Sequence, residues 1–356
     1  MLQNSILRNA DAHLKVCIFG NDDQVVHPSV IDFKSEHGMD TWNGYRYWMA
    51  ITPYPYGKSG EENPCLCASN DGLNWKVPHN VINPLDTAKG GWTDGFHSDP
   101  DMIYNPDDDE LWIYYRFLTN QRYVMKLIRI TPDMRVTHPE CVMDYTMGQP
   151  GQSPWQRGNE LRSMAIWRES SNQWHMWAGV GRRWGIAGNN KPCSTIYLSS
   201  NDGICWSEPE VCLNGNSVDP FQELGYSHWH ISAKPNHENR KIEFLCFCDN
   251  TGGGKNGLLY AECEMDDPTC ITCPSGRPVL EPSDLGWDNG TLYRSSFVRE
   301  KRGSESVFRV WYSASSRKKF WQKLLRPLFL LNPIVPSVYK LHTQWYLGYT
   351  EGTLEI

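Results

Sequence analysis

One pattern occurs five times in this chain, and a long, nearly fixed period sharply limits the folds open to it. HPSVIDF starts at His27, DPDMIYN at Asp99, RSMAIWR at Arg162, HISAKPN at His230 and RSSFVRE at Arg294. By subtraction the intervals are 63 to 72 residues. Each segment is followed by an aromatic-rich run (YRYWMAIT, LWIYYRF, WHMWAGV, IEFLCFC, FRVWYSA) and then by a third (PCLCASN, YVMKLIRI, STIYLSS, GLLYAEC, WYLGYTE). β-branched and aromatic runs separated by turn residues read as strands. Five units of about four strands predict an all-β, five-bladed β-propeller. We read residues 1–356 as a single domain, with units starting near 27, 99, 162, 230 and 294.

The 16 Trp and 17 Tyr suit blades packed sheet on sheet, and also a surface that covers the C–H face of a sugar ring. The net charge of −7 and the lack of a basic stripe argue against nucleic-acid binding. The start, MLQNSILRNADAHLKVCIFG, lacks a basic stretch followed by a continuous apolar core, and no apolar run approaches a bilayer's thickness. The expectation is therefore a cytoplasmic protein. Several of the 12 cysteines alternate within strands, as in Cys65/Cys67 and Cys246/Cys248, which suits buried, reduced thiols. Cys270 and Cys273 form a CxxC without a second pair to complete a zinc site.

SNDGLNW from Ser69 and SNDGICW from Ser200 are two copies of one turn, two units apart. Asn-Asp-Gly suits a tight hairpin whose Trp packs on the blade. They resemble the Asp-box hairpins of sialidase-like propellers, which implies a structural role. One insertion, at 316–340 in the last unit, breaks the pattern. Its basic residues flank Phe320, Trp321, Leu324, Leu325 and Leu328 at helical spacing, the character of an interfacial helix. It predicts peripheral membrane contact through residues 317–336.

In a propeller the first strand of each blade lines the central channel, so function is expected at one level across all five units. That level holds His27, Asp99 with Asp101, Arg162 with Glu160, His228 with His230, and Arg294. Nearby loops add Asp22, Asp23, Trp42, Glu61, Glu62, Trp92, Asp94, His97 and Arg183. Charged groups are costly to bury unless paired, so such a ring reads as a pocket. The two arginines at equivalent places, Arg162 and Arg294, suit a substrate carboxylate, or ion pairs with Asp99 and Asp101. His27, His97, His228 and His230 suggest a metal ion without assigning its ligands.

The layout resembles the five-bladed propeller glycosidases, glycoside hydrolase family 43 and its relatives (families 32, 62, 68 and 117). SDPDMIYNPDDDELWIYY from Ser98 is similar to their second-blade segment, and GNELRSMAIWR to their third. The resemblance implies an enzyme that cleaves a poly- or oligosaccharide, with Glu160 as general acid and Asp99 tuning its pKa. It puts His27 where the family keeps an aspartate base. Asp22 or Asp23 could then supply the missing carboxylate, His27 could itself be the base, or the site could bind glycan without cleaving it. His228, His230, Arg162, Arg294, Asp101, His97, Arg183, Trp42 and Trp92 are the expected substrate contacts. No catalytic cofactor is implied, although relatives leave room for a structural calcium ion in the channel. The alternatives are a glycan-binding or polysaccharide-assembly propeller, and a phosphorylase or transferase on the same scaffold.

Overall fold

The computed structural model describes residues 12–20, 22–88, 94–119, 121–146, 159–182, 193–317 and 343–354. Five antiparallel sheets follow one another along the chain. Blade 1 comprises Val25–Asp32, Tyr47–Pro53 and Cys65–Ser69. Blade 2 comprises Phe96–Asn105, Glu110–Leu118, Arg122–Ile130 and Glu140–Thr146. Blade 3 comprises Asn159–Ser170, Gln173–Arg182, Ser194–Ser200 and Glu210–Val211. Blade 4 comprises Tyr226–Asn236, Lys241–Asn250, Gly257–Glu264 and Asp267–Thr272. Blade 5 comprises Thr291–Arg302, Glu305–Ser315 and Trp345–Thr353. The five repeat segments all fall in the first strands, and these touch in a closed cycle in which the first meets the last. The result is a five-bladed β-propeller.

Each pair of neighbouring blades encloses its own apolar cluster, so the core is five wedges and not one. Trp48, Trp174, Trp177 and Trp311 are among the largest fully buried side chains. Closure is reinforced at the ends of the chain, where the Leu14 amide donates to the Leu347 carbonyl in the outer strand of blade 5.

The two Asp-box hairpins are structural, and each clamps the blade beside it. Ser69 Oγ accepts from the Asp71 and Gly72 amides, and the Asp71 carboxylate accepts from those of Leu73 and Asn74. Gly72, at φ 76°, turns its carbonyl to the indole N–H of Trp311 in blade 5. The second box repeats this, and the Gly203 carbonyl accepts from the Tyr114 hydroxyl of blade 2. All 12 cysteines are free, and burial pushes the Cys65, Cys67, Cys246 and Cys248 thiols far up. The insertion expected at 316–340 lies almost wholly outside the described residues. Among those described, no helix is long and apolar enough to cross a membrane.

Every inner strand breaks register at one level: between Val26 and Ser29, Ser98 and Asp101, Arg162 and Met164, His228 and His230, and Leu292 and Ser295. An extra residue in one strand re-aims the side chains beside it. Pro28 and Pro100 occupy two of these breaks, where a residue without an N–H costs no ladder bond. The backbone is strained there, with His27 at φ 61° and Asp99 at φ 51°. Left-handed geometry in such residues costs about 1–3 kcal/mol each and concentrates at functional sites.

Candidate functional site

The register breaks bring His27 of blade 1, Asp99 of blade 2 and His230 of blade 4 together on the axis. His27 Nε2 lies 3.5 Å from Asp99 Oδ1, and His230 Nδ1 lies 3.1 Å from the same oxygen. One ligand atom from each residue falls within 4.8 Å of the others. All three residues are buried, yet among the described residues none of these three atoms completes a hydrogen bond. Buried polar atoms are almost always satisfied. Three orphans facing one another fit a metal ion.

The surroundings of His27 and Asp99 prepare their atoms for that role. Thr52 donates its hydroxyl to the Val26 carbonyl, so towards His27 Nδ1, 3.1 Å away, it can only accept. The ring proton therefore sits on Nδ1, and the Nε2 lone pair faces Asp99. Arg116 Nε is 2.6 Å from Asp99 Oδ2, which also accepts from Ser98 Oγ, so only Oδ1 is open. Burial opposes ionisation of Asp99, but its neighbours, the Arg116 guanidinium foremost, outweigh it and hold the carboxyl well below its usual range. Burial drives His27 well below its ordinary value and His230 to about 4, against the pull of Asp99. The centre is thus one carboxylate and two neutral imidazoles, a donor set for a first-row transition ion. Calcium prefers oxygen ligands throughout, so this cluster fits it poorly.

Glu62 approaches from the loop between the second and third strands of blade 1, with Oε2 3.6 Å from His27 Nδ1. Burial first, and the Asp99 charge second, raise its pKa well above the ordinary carboxyl value. Tyr293 packs its ring edge-on to His230 with centroids 4.2 Å apart, and Trp345 packs on Tyr293. The Arg162 guanidinium lies 3.7 Å over the Trp229 ring.

No family model matches the chain. Among curated proteins it is 28% identical, over 323 residues, to an A type blood N-acetyl-alpha-D-galactosamine deacetylase from Flavonifractor plautii. That match takes in 82% of this chain but only 40% of the relative's length. Among solved structures, an N-acetylgalactosamine deacetylase from F. plautii, in complex with blood group B trisaccharide, superposes with TM-score 0.74 at 21% identity. It covers 98% of this chain and 96% of that one. A member of the GH130 family of mannoside phosphorylases and glycoside hydrolases superposes with TM-score 0.55 at 10% identity, covering 98% and 93%. These solved structures share the five-bladed β-propeller fold of this chain.

Within that fold the expected site residues separate into groups. His27, Asp99 and His230 meet on the axis. Arg294 and Asp101 lie directly beneath, but as partners of each other: Arg294 Nη2 is 3.1 Å from Asp101 Oδ1. Arg294 is 1% exposed, so the structure gives it an ion-pair role in place of a substrate carboxylate. Asp22 accepts from the Gln24 backbone and side-chain amides, and Asp23 pairs with His13. Both are engaged locally, and the carboxylate beside His27 is Glu62. His97 belongs to a network between blades 1 and 2, with Asn63 and Lys126 as partners. His228 points away from the triad, to Thr195 Oγ1 and the Phe221 ring.

Trp42 requires a correction. It lies in the connection that leaves the far end of the first strand, buried in the wedge between blades 1 and 2, with its indole N–H on Asp109. It is not at the mouth of the site. Glu160 pairs with Gly181 at the start of the inner strand of blade 3, and its side chain lies outside the described residues. Trp92 and Arg183 lie outside them altogether.

Arg116 carried no expectation. Its signal was present, because an arginine inside the apolar run LWIYYRF cannot be buried without an acidic partner. Glu62 was named only as a loop neighbour. At the opposite end of the channel a cavity of about 650 Å³ is lined by Lys234, Glu36, Arg46, Arg299 and Asp101, among others. Its cations are already paired, Lys234 with Glu36, Arg46 with Asp32 and Glu300, and Arg299 with Glu243.

Proposed function

We propose that this chain is a carbohydrate-active hydrolase that removes the acyl group from an acylamino sugar, using a divalent metal held by His27, Asp99 and His230. The observation that carries the reading is the convergence of three unsatisfied ligand atoms from three blades. The relative at 28% identity, an N-acetyl-alpha-D-galactosamine deacetylase, supports the substrate class. A divalent ion in such a site polarises a carbonyl and lowers the pKa of water towards neutrality.

The chain's own residues supply the rest. Thr52 fixes the His27 tautomer, and Arg116 fixes the Asp99 carboxylate. Glu62, with its raised pKa, is suited to take a proton from the attacking water and return it to the departing amine. Tyr293, Trp345 and the Arg162–Trp229 stack offer aromatic faces to the sugar. Glycosidic cleavage through Glu160 is the competing outcome.

The deciding experiment incubates the protein with an oligosaccharide ending in N-acetylgalactosamine and follows both acetate and free sugar. Acetate release that is lost on chelation and restored by a divalent ion supports the reading. Release of monosaccharide without acetate overturns it.

A further inference from the structure

Beneath the triad, the Asp101 carboxylate joins four of the five inner strands. It sits in blade 2, its Oδ1 accepts from Ser29 Oγ of blade 1 at 3.0 Å and from Arg294 Nη2 of blade 5 at 3.1 Å, and its Oδ2 accepts from the Ile166 amide of blade 3 at 2.8 Å. Arg294 gives Nη2 also to the Met164 carbonyl. Its Nη1 and Nε have no hydrogen-bond partner among the described residues. Nη1 lies 3.8 Å from Asp99 Oδ1, the oxygen that faces both imidazoles. A buried guanidinium held just short of a second carboxylate, with an unused N–H, is poised to reach it. What restrains it is the first carboxylate.

We propose that Asp101 is a positioning residue that holds Arg294 away from Asp99 Oδ1, keeping that oxygen open to a metal ion. The inference rests on the metal-centre reading above. Without the Asp101 charge, the nearest anion for Arg294 is Asp99, and a full ion pair there would occupy the oxygen the ion needs. Arg116 already holds the other oxygen. Asp99 would then be closed on both sides.

The test is binding of Co²⁺ alone, by calorimetry and by the visible absorption of the bound ion, in four forms of the full chain: wild type, Asp101→Asn, Arg294→Met and the double variant. Asn keeps the shape and an acceptor but not the charge. Asp101→Asn is expected to bind about 10–100-fold more weakly, the usual cost of losing a group that supports a ligand. The double variant removes the intruding cation together with its restraint, and is expected to recover wild-type affinity and spectrum. Arg294→Met is expected to bind at least as well as wild type, because a positive charge near the ion is gone.

A double variant as weak as Asp101→Asn, or an Arg294→Met variant weakened to the same degree, would mean that the pair serves only to hold the blades, and the proposal fails. If Asp101→Asn does not fold, an Arg294→Met or double variant that binds Co²⁺ about 10–100-fold more weakly than wild type overturns the proposal. Failure of the wild type to bind Co²⁺ refutes the metal centre itself, a result distinct from any pattern among the variants.

Discussion

Replacing Arg116 by Met removes the one cation bonded to Asp99 while keeping much of the apolar stem. Asp99 is 0% exposed and the Arg116 side chain only 9%. The change deletes the 2.6 Å contact to Oδ2, the 2.6 Å bond to Ser98 Oγ and the bond to the Leu161 carbonyl of blade 3. Breaking a buried ion pair from one side costs about 3–5 kcal/mol, because the remaining charge is left in a low-dielectric interior. At about 2 °C per kcal/mol for a chain larger than a small domain, the melting temperature should fall by roughly 6–10 °C.

The pH dependence of this loss identifies its cause. The wild-type Asp99 carboxyl is held well below its unfolded value, so its stabilisation is complete above about pH 4 and is lost as pH falls through the folded value. The variant raises the folded value. Its deficit should therefore be largest near neutrality and narrow on acidification, as Asp99 takes up a proton. Thermal melts of both proteins at several pH values measure this. A deficit under about 1 kcal/mol at neutral pH, or one that does not change on acidification, would refute the assignment of Arg116 to Asp99.

Three further outcomes are expected. Glu62→Gln should lower acetate release by about 10²–10⁴-fold while leaving metal affinity near wild type, as read from single-turnover assays and Co²⁺ titration. Gly72→Ala should destabilise by more than about 2 kcal/mol, since left-handed geometry is penalised and the new Cβ would lie 2.8 Å from Trp311 and 3.0 Å from Arg309. Gly38→Ala, at φ 67° with nothing within 4 Å, should lose only the conformational part, and denaturant melts separate the two. A thiol reagent should label Cys17, Cys141 and Cys205 promptly in the native protein, but Cys65, Cys67, Cys246 and Cys248 only after unfolding.

The blades were legible because the repeat length is set by the strand count, and strand composition survives where contacts do not. The level of the site was legible for the same reason: His27, Asp99 and His230 stand at equivalent places in three units. Their meeting was not legible, because it depends on bulges and on two left-handed residues that no local pattern announces. Trp42 illustrates a misplacement that geometry could have avoided. A loop that follows the first strand of a blade leaves at the end away from that strand's start, so its aromatics cannot flank His27. Glu62 was obscured because its raised pKa comes from burial, and the loop GEENP looks like any solvated turn. Arg294 shows the limit of reading charge from one dimension, since both a substrate carboxylate and Asp101 would explain an inward arginine.

The most direct test of the central claim is an anomalous difference map from crystals grown with Co²⁺ and recorded at the cobalt edge. The account predicts one strong peak on the channel axis, bounded by His27 Nε2, Asp99 Oδ1 and His230 Nδ1. A map with no peak there, with those imidazoles instead hydrogen-bonded to Asp99, would contradict it.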